Sequence, residues 1–225
     1  MEWKYHSPTF LSDKYLSPEE SLSSYYPYRN FSYDLTRYIK PKIIVELGTH
    51  LGVSHFSFCQ AVMDENLPTK CYGIDHWKGD AHSGLYDEDI FLLVKNISDT
   101  EFPNISNLVR NSFDEALSTF EDGTIDILLI DGYHTFESVK HDFDTWLPKI
   151  SENGIILLHD IVVRHLDFGV YQLWDDLKKK YPCIEFNFAT GLGVVFPNFF
   201  NENQVSMINN QAELQISYQN SQNLN

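Results

Sequence analysis

Residues 42–54, KIIVELGTHLGVS, restrict the folds open to this chain more than any other stretch. Ile43, Ile44 and Val45 form a β-branched apolar run that Glu46 closes, and Gly48 and Gly52 bracket a turn before Phe56, Cys59, Ala61, Val62 and Met63. That pattern predicts a buried strand, a glycine turn and a helix. Such a crossover lets a ligand approach bare backbone beside the unpaired N–H groups of a helix N-terminus, although a sharp βα turn in an α/β protein has the same signature. A dinucleotide-binding turn has the form G-x-G-x-x-G, and here Glu46 stands where its first glycine would be. An acid there repels a pyrophosphate and suits a ligand that carries a cation or a sugar hydroxyl.

With 225 residues the chain is one domain, or one domain with appendages, long enough to bury a substantial core. Its 16 Lys plus Arg against 32 Asp plus Glu leave a charge of −16, which argues against nucleic acid or an anionic membrane as partner. No apolar run reaches the length of a membrane span and MEWKYHSPTF has no apolar signal core, so the expected location is the cytoplasm. Cys59, Cys71 and Cys183 are widely spaced and read as buried free thiols.

Three segments follow. Residues 1–41 are rich in Ser, Pro and Tyr, with a helix start at Ser17-Pro18-Glu19-Glu20, and are expected to form a helical lid or a loose arm. Residues 42–197 alternate strands and helices. Residues 198–225 are dominated by Asn and Gln and are expected to be a partly ordered tail.

Within the central segment, residues 70–76 predict a second strand ending in Asp75, placed to accept hydrogen bonds from two ribose hydroxyls, with His76 next to it. Loop 77–86, WKGDAHSGLY, is expected on the acceptor side or as a structural turn. Residues 107–111 predict a third strand, after which Ser112 is a helix N-cap. Residues 125–131, IDILLID, predict a central parallel strand, and a turn at Asn153-Gly154 leads to a fifth strand over 155–159. A β-hairpin follows from residues 184–188 and 193–196. Parallel strands place Glu46, Asp75, Asp131 and Asp160 along one rim.

The pattern E-x-G-x-x-x-G resembles motif I of the class I S-adenosylmethionine-dependent methyltransferases. LLIDGYHTFESVKHDFDTWLPKISENGIILLHDI, with IDHWKGDAHSGLY, is similar to the small bacterial glycan-associated members related to the macrocin O-methyltransferases and, more distantly, to catechol O-methyltransferase. The resemblance spans about residues 43–196. It implies a Rossmann-like α/β fold: a mostly parallel seven-stranded sheet, helices on both faces and a C-terminal antiparallel hairpin. It implies S-adenosyl-L-methionine as cofactor, held by Glu46, Gly48, Thr49, Gly52 and Ser54, by Asp75 and His76, by Ser112 and Phe113 around the adenine, and by Asp131.

By position, Asp131 and Asp160 match two metal-binding acids of the metal-dependent relatives, whereas Ile161 stands where the third ligand falls. His134 and His159 are the residues that could complete a set for Mg²⁺, Mn²⁺ or another divalent cation. Asp131, His134 and Asp160 are the expected catalytic residues, because an alcohol hydroxyl needs a metal or a positioned base, with His134 the metal-free candidate. The expected function is O-methylation of a sugar, glycan or small-metabolite hydroxyl. The competing readings are an NAD-linked oxidoreductase, a metal-dependent oxygenase on the same scaffold, and a non-catalytic scaffold of a glycosyltransferase system. Association into a homo-oligomer is left open.

Overall fold

The computed structural model describes residues 2–17, 23–198 and 201–221. Helix α1 is Arg29–Ile39, strand β1 Ile43–Leu47, helix α2 Val53–Asp64 and strand β2 Lys70–Asp75. The short strands β3 (Gly79–Asp80) and β4 (Gly84–Leu85) precede α3 (Glu88–Glu101), β5 (Ser106–Arg110) and α4 (Phe113–Ala116). Next come β6 (Ile125–Ile130), α5 (Phe136–Trp146), β7 (Ile150–His159), α6 (Val170–Lys180), β8 (Cys183–Phe186), β9 (Leu192–Val195), α7 (Glu202–Asn209) and α8 (Gln211–Ser221).

The main sheet has seven strands in the order β5-β2-β1-β6-β7-β9-β8, and β3-β4 is a separate two-stranded ribbon. β9 runs antiparallel to both β7 and β8. This is the Rossmann-like α/β arrangement expected, closed by its antiparallel hairpin. The chain divides into two compact units, Met1–Ala116 and Leu117–Asn225.

In the first unit, β1 and β2 pair in parallel from Ile43↔Lys70 to Leu47↔Ile74. Helix α2 is buried throughout from Val53 to Val62, its polar Ser54, His55, Ser57 and Gln60 included, as in a helix enclosed by neighbours. The turn before it requires glycine: Gly52 caps α2 at φ 77°, and a Cβ there would come within 2.5 Å of the Phe56 ring. The N-terminal segment packs on this unit. Trp3 stacks on Phe31 at 5.9 Å, the His6 ring nitrogen lies 2.6 Å from buried Asp34, and Phe10 joins Tyr33 and Ala61 in a core cluster. Of the helix start read at Ser17-Pro18-Glu19-Glu20, positions 18–20 lie outside the described residues.

In the second unit, β6 and β7 supply the centre: Ile127, Leu128 and Leu129 face no solvent, nor do Ile155, Ile156, Leu157 and Leu158. Truncating one of these to alanine removes about 2–5 kcal/mol. β7 is twice as long as its sequence suggests. Asn153-Gly154, read as a turn before the strand, lies inside it as an irregularity where the pairing shifts between Ile125↔Ile150 and Ile127↔Ile155.

The segment expected as a partly ordered tail instead carries α7 and α8. Asn201 closes a capping box with Gln204, and Met207, Leu214 and Tyr218 are buried, Tyr218 edge-on to Phe186 at 6.1 Å. Among the described residues no helix is long and apolar enough to cross a membrane.

Candidate active site

In the first unit the glycine turn after β1 and the loop after β2 are knitted together through Asp75. One carboxylate oxygen accepts the His50 backbone N–H at 2.9 Å, and the other accepts that of Trp77 at 2.7 Å. The Trp77 indole N–H then donates to the His50 carbonyl at 2.9 Å, and the His50 ring stacks on Tyr86 at 4.5 Å. His50 and Trp77 both hold positive φ, 46° and 51°, a conformation that costs non-glycine residues of order 1–3 kcal/mol. These interactions hold both in place. Each carboxylate oxygen retains a second lone-pair direction, so Asp75 can still accept a ribose hydroxyl.

Glu46 is fully buried and accepts the Ser54 hydroxyl, with the His55 ring nitrogen at 3.9 Å. Burial pushes the His55 pKa down to about 3, so this imidazole is neutral. Its other ring nitrogen meets Ser106 Oγ at 2.8 Å. Thr49 lies over β2, where Gly73 makes room for it: a Cβ on Gly73 would fall 2.7 Å from Thr49 Oγ1. That hydroxyl is buried and has no hydrogen-bond partner among the described residues. Two carboxylates with a spare hydroxyl suit an amino group and vicinal hydroxyls better than a diphosphate.

Ser112 is the expected cap of the turn after β5. Its hydroxyl donates to Glu115 at 2.9 Å and accepts the Glu115 N–H at 3.3 Å. Phe113 beside it is half-buried, and His76 is half-exposed with Nδ1 accepting the Lys78 N–H. Loop 77–86 forms the β3–β4 ribbon, braced by Asp80 accepting the N–H groups of His82 and Ser83, with Leu85, paired to Gly79, 91% exposed.

The second unit brings together Asp131, His134, His159 and Asp160. His134 Nε2 lies 3.4 Å from Asp131 Oδ1 and 3.0 Å from Asp160 Oδ2, while His159 Nδ1 lies 3.0 Å from Asp131 Oδ1. Burial alone would lower the His134 pKa, but hydrogen bonds to Asp131 and Asp160 outweigh it and hold it up to about 10. His159 is raised too, burial again opposing and the charges of Asp131 and Asp160 prevailing. The same pairing holds Asp131 well below the usual carboxylate range against the opposing effect of burial, chiefly through the His159 charge and the hydrogen bonds of His134 and His159.

These groups define what the cluster can do. With its pKa raised, His134 supplies positive charge to the cluster, and a cation held by Asp131 and Asp160 would displace that proton and leave a neutral imidazole. Asp131, His134 and Asp160 each offer a ligand atom within 4.8 Å of the others. Asp160 Oδ1 is buried without a hydrogen-bond partner among the described residues, with His159 Nδ1 3.4 Å away. Two carboxylate oxygens and one imidazole therefore fit a divalent ion of the Mn²⁺ or Fe²⁺ type. Asp160 holds φ 62°, the third non-glycine residue with positive φ that follows a parallel strand closely, after His50 and Trp77.

His159, also expected as a possible ligand, is not in that three-residue group. Both its ring nitrogens are engaged, Nδ1 with Asp131 and Nε2 with Thr190 Oγ1 at 2.9 Å. Ile161 is buried apolar packing. Sequence reasoning missed Thr190 and also Phe168, whose ring stacks on His134 at 4.8 Å with 9° between planes while the Gly169 N–H donates to the His134 carbonyl at 2.7 Å. Neither lies in a motif, and both reach the cluster through tertiary contacts.

A family model described as a methyltransferase domain matches residues 45–161. An uncharacterized protein of Sinorhizobium fredii (strain NBRC 101917 / NGR234) is 43% identical over 162 residues, 72% of this chain; the chain spans 18% of that relative's length. Among solved structures, the O-methyltransferase TomG of Streptomyces achromogenes, involved in tomaymycin synthesis and crystallised with SAM, superimposes with a TM-score of 0.61 at 13% identity, over 87% of this chain and 92% of that one. The SAH-bound methyltransferase PaMTH1 of Podospora anserina gives 0.58 at 15% identity, over 84% and 82%. At such identities these two likenesses are of fold.

Proposed function

The chain belongs to the methyltransferase-domain family, matched from residue 45 to residue 161, and from that premise we propose that it transfers a methyl group from S-adenosyl-L-methionine to a hydroxyl oxygen of a sugar, glycan or small metabolite. The observation that carries the oxygen-directed chemistry is the Asp131–His134–Asp160 cluster, with ligand atoms within 4.8 Å of one another. A hydroxyl is a poor nucleophile near pH 7 and needs its proton weakened or removed. The net charge of −16 favours a neutral acceptor over a polyanion.

In this reading Glu46, kept in place by Ser54, and the turn with Gly48, Thr49 and Gly52 hold the amino-acid part of the cofactor. Asp75, with His76 beside it, takes the ribose hydroxyls, and Ser112 and Phe113 border the adenine. The cofactor, when bound, supplies an electrophilic methyl on a sulfonium that needs no further activation. Asp131, His134 and Asp160 would hold a divalent cation, which lowers the pKa of an oxygen ligand. In transfer the acceptor oxygen would form its O–CH₃ bond as the cofactor's S–CH₃ bond breaks and S-adenosylhomocysteine leaves, the acceptor's proton passing to a carboxylate of the cluster or to water. What the protein contributes is orientation, worth roughly 7–11 kcal/mol when reacting atoms are held at attack range.

Isothermal titration with S-adenosylmethionine is the first measurement, and we expect saturable binding at micromolar concentrations. Radiolabelled methyl transfer to a panel of sugars and small alcohols follows, with and without Mn²⁺. No cofactor binding by the folded protein would overturn the reading. The same donor set also favours a second reading, an iron-dependent oxygenase, which Fe²⁺-dependent oxygen uptake without methyl transfer would identify.

A further inference from the structure

The antiparallel hairpin β8–β9 reaches into the Asp131 cluster. We infer that Thr190, in the hairpin turn, and His159, at the end of β7, form a positioning pair that fixes the Asp131 carboxylate; the functional consequence rests on the reading above.

The geometry is a chain of hydrogen bonds. Thr190 Oγ1 lies 2.9 Å from His159 Nε2, and His159 Nδ1 lies 3.0 Å from Asp131 Oδ1. The His159 side chain faces no solvent, so water does not substitute for either partner. A carboxylate only accepts, so Nδ1 must carry a hydrogen. Nε2 then meets a hydroxyl, which accepts from an N–H or donates to a bare nitrogen by rotating. Threonine thus serves the imidazole in either protonation state. Valine, of the same shape, serves neither.

The backbone around Thr190 holds it in reach. Ala189 and Gly191 on its two sides hold φ 48° and 86°, and the Thr190 carbonyl accepts the Val162 N–H at 3.2 Å. A Cβ on Gly191 would come within 2.7 Å of Ile161 and 2.9 Å of Val162. The hairpin turn is therefore moulded to the turn that carries Asp160. On the β7 side, His159 pairs with Leu192 in the antiparallel ladder, so strand register sets the distance the threonine must span.

Asp131 Oδ1 is shared by His159 Nδ1 at 3.0 Å and His134 Nε2 at 3.4 Å, so the His159 bond sets where the carboxylate meets the rest of the cluster. Partners that orient a ligating group in this way typically change metal affinity or activity 10–100-fold when removed. The positioning role makes the hairpin part of the working site as well as a means of closing the sheet.

The test compares Thr190→Val, Thr190→Ser and the parent protein by three readouts. Proton–nitrogen NMR of the His159 ring should show the Nε2 signal moved in Thr190→Val and restored in Thr190→Ser. Mn²⁺ affinity, followed by EPR, should fall 10–100-fold in the valine variant and return to within about threefold in the serine variant. Methyl transfer should lose kcat by a similar factor while S-adenosylmethionine affinity stays within twofold. If Thr190→Val does not fold, Thr190→Ala carries the same comparison. An unmoved His159 resonance, or a valine variant with parental Mn²⁺ affinity, overturns the proposal. A protein that transfers no methyl group refutes the function above and leaves the NMR and Mn²⁺ arms to decide this pair.

Discussion

Asp75 and Asp131 are both acids at or just past the end of a parallel strand, yet their surroundings give them opposite work. Asp75 is held by two backbone N–H groups, His50 and Trp77, so its charge is spent fixing two strained turns. Asp131 is held by two imidazoles, His134 and His159, so its charge is balanced by groups that gain and lose protons. The first acid braces two backbone turns; the second sits in a charged pairing with two imidazoles. Strand-end acids in one fold are therefore not equivalent, and the donor type around each tells them apart.

The widest separation should come from removing each carboxylate in turn. Asp131→Ala is expected to lower methyl transfer by about 10²–10⁴-fold, the range for a lost acid–base or cation-holding group, with a smaller loss of S-adenosylmethionine affinity by titration than Asp75→Ala shows. Asp75→Ala should do the reverse, costing about 2–4 kcal/mol of stability because two N–H donors lose their partner, and weakening cofactor binding at least tenfold. Equal effects of the two substitutions on binding would erase the contrast.

The first unit's buried imidazole provides a pH test. The His55 pKa, pushed down to about 3, lies below its unfolded value of about 6.5, so the unfolded chain binds the extra proton first. Its contribution is complete above about pH 6.5 and is lost as pH falls toward 3, with a slope of about 1.4 kcal/mol per unit. Urea unfolding of the parent and of His55→Gln across pH 4–7 should differ by that slope; parallel curves would refute it. His134 and His159 are raised and behave oppositely, giving stability that is present in acid and lost as pH rises through their folded values. The smallest effect is expected from Phe168→Leu, which removes a ring stacked on His134 and should cost about 0.5–1.5 kcal/mol, read as a roughly two- to thirteenfold fall in kcat/KM.

Much of the fold was legible because strand and helix periods are local. The β-branched run before Glu46 and the all-apolar IDILLID became β1 and β6 as expected. The Asn/Gln-rich C-terminal segment was misread because its composition masks a helical spacing of Met207, Leu214 and Tyr218 and a capping box at Asn201. Of the candidate site, the acids could be found by position alone. What each acid is bound to could not, because Thr190 lies 31 residues from His159 in sequence and Phe168 meets His134 only through folding.

The positive backbone angles at His50, Trp77 and Asp160 also bear on engineering. Glycine is the usual remedy for such positions, relieving about 1 kcal/mol or more of local strain. Here the remedy would delete a ring stacked on Tyr86, an indole tied to the neighbouring turn, or a carboxylate of the charged cluster. Thermostabilising libraries should leave these three codons untouched and seek their gains in α7, α8 and the outer helices.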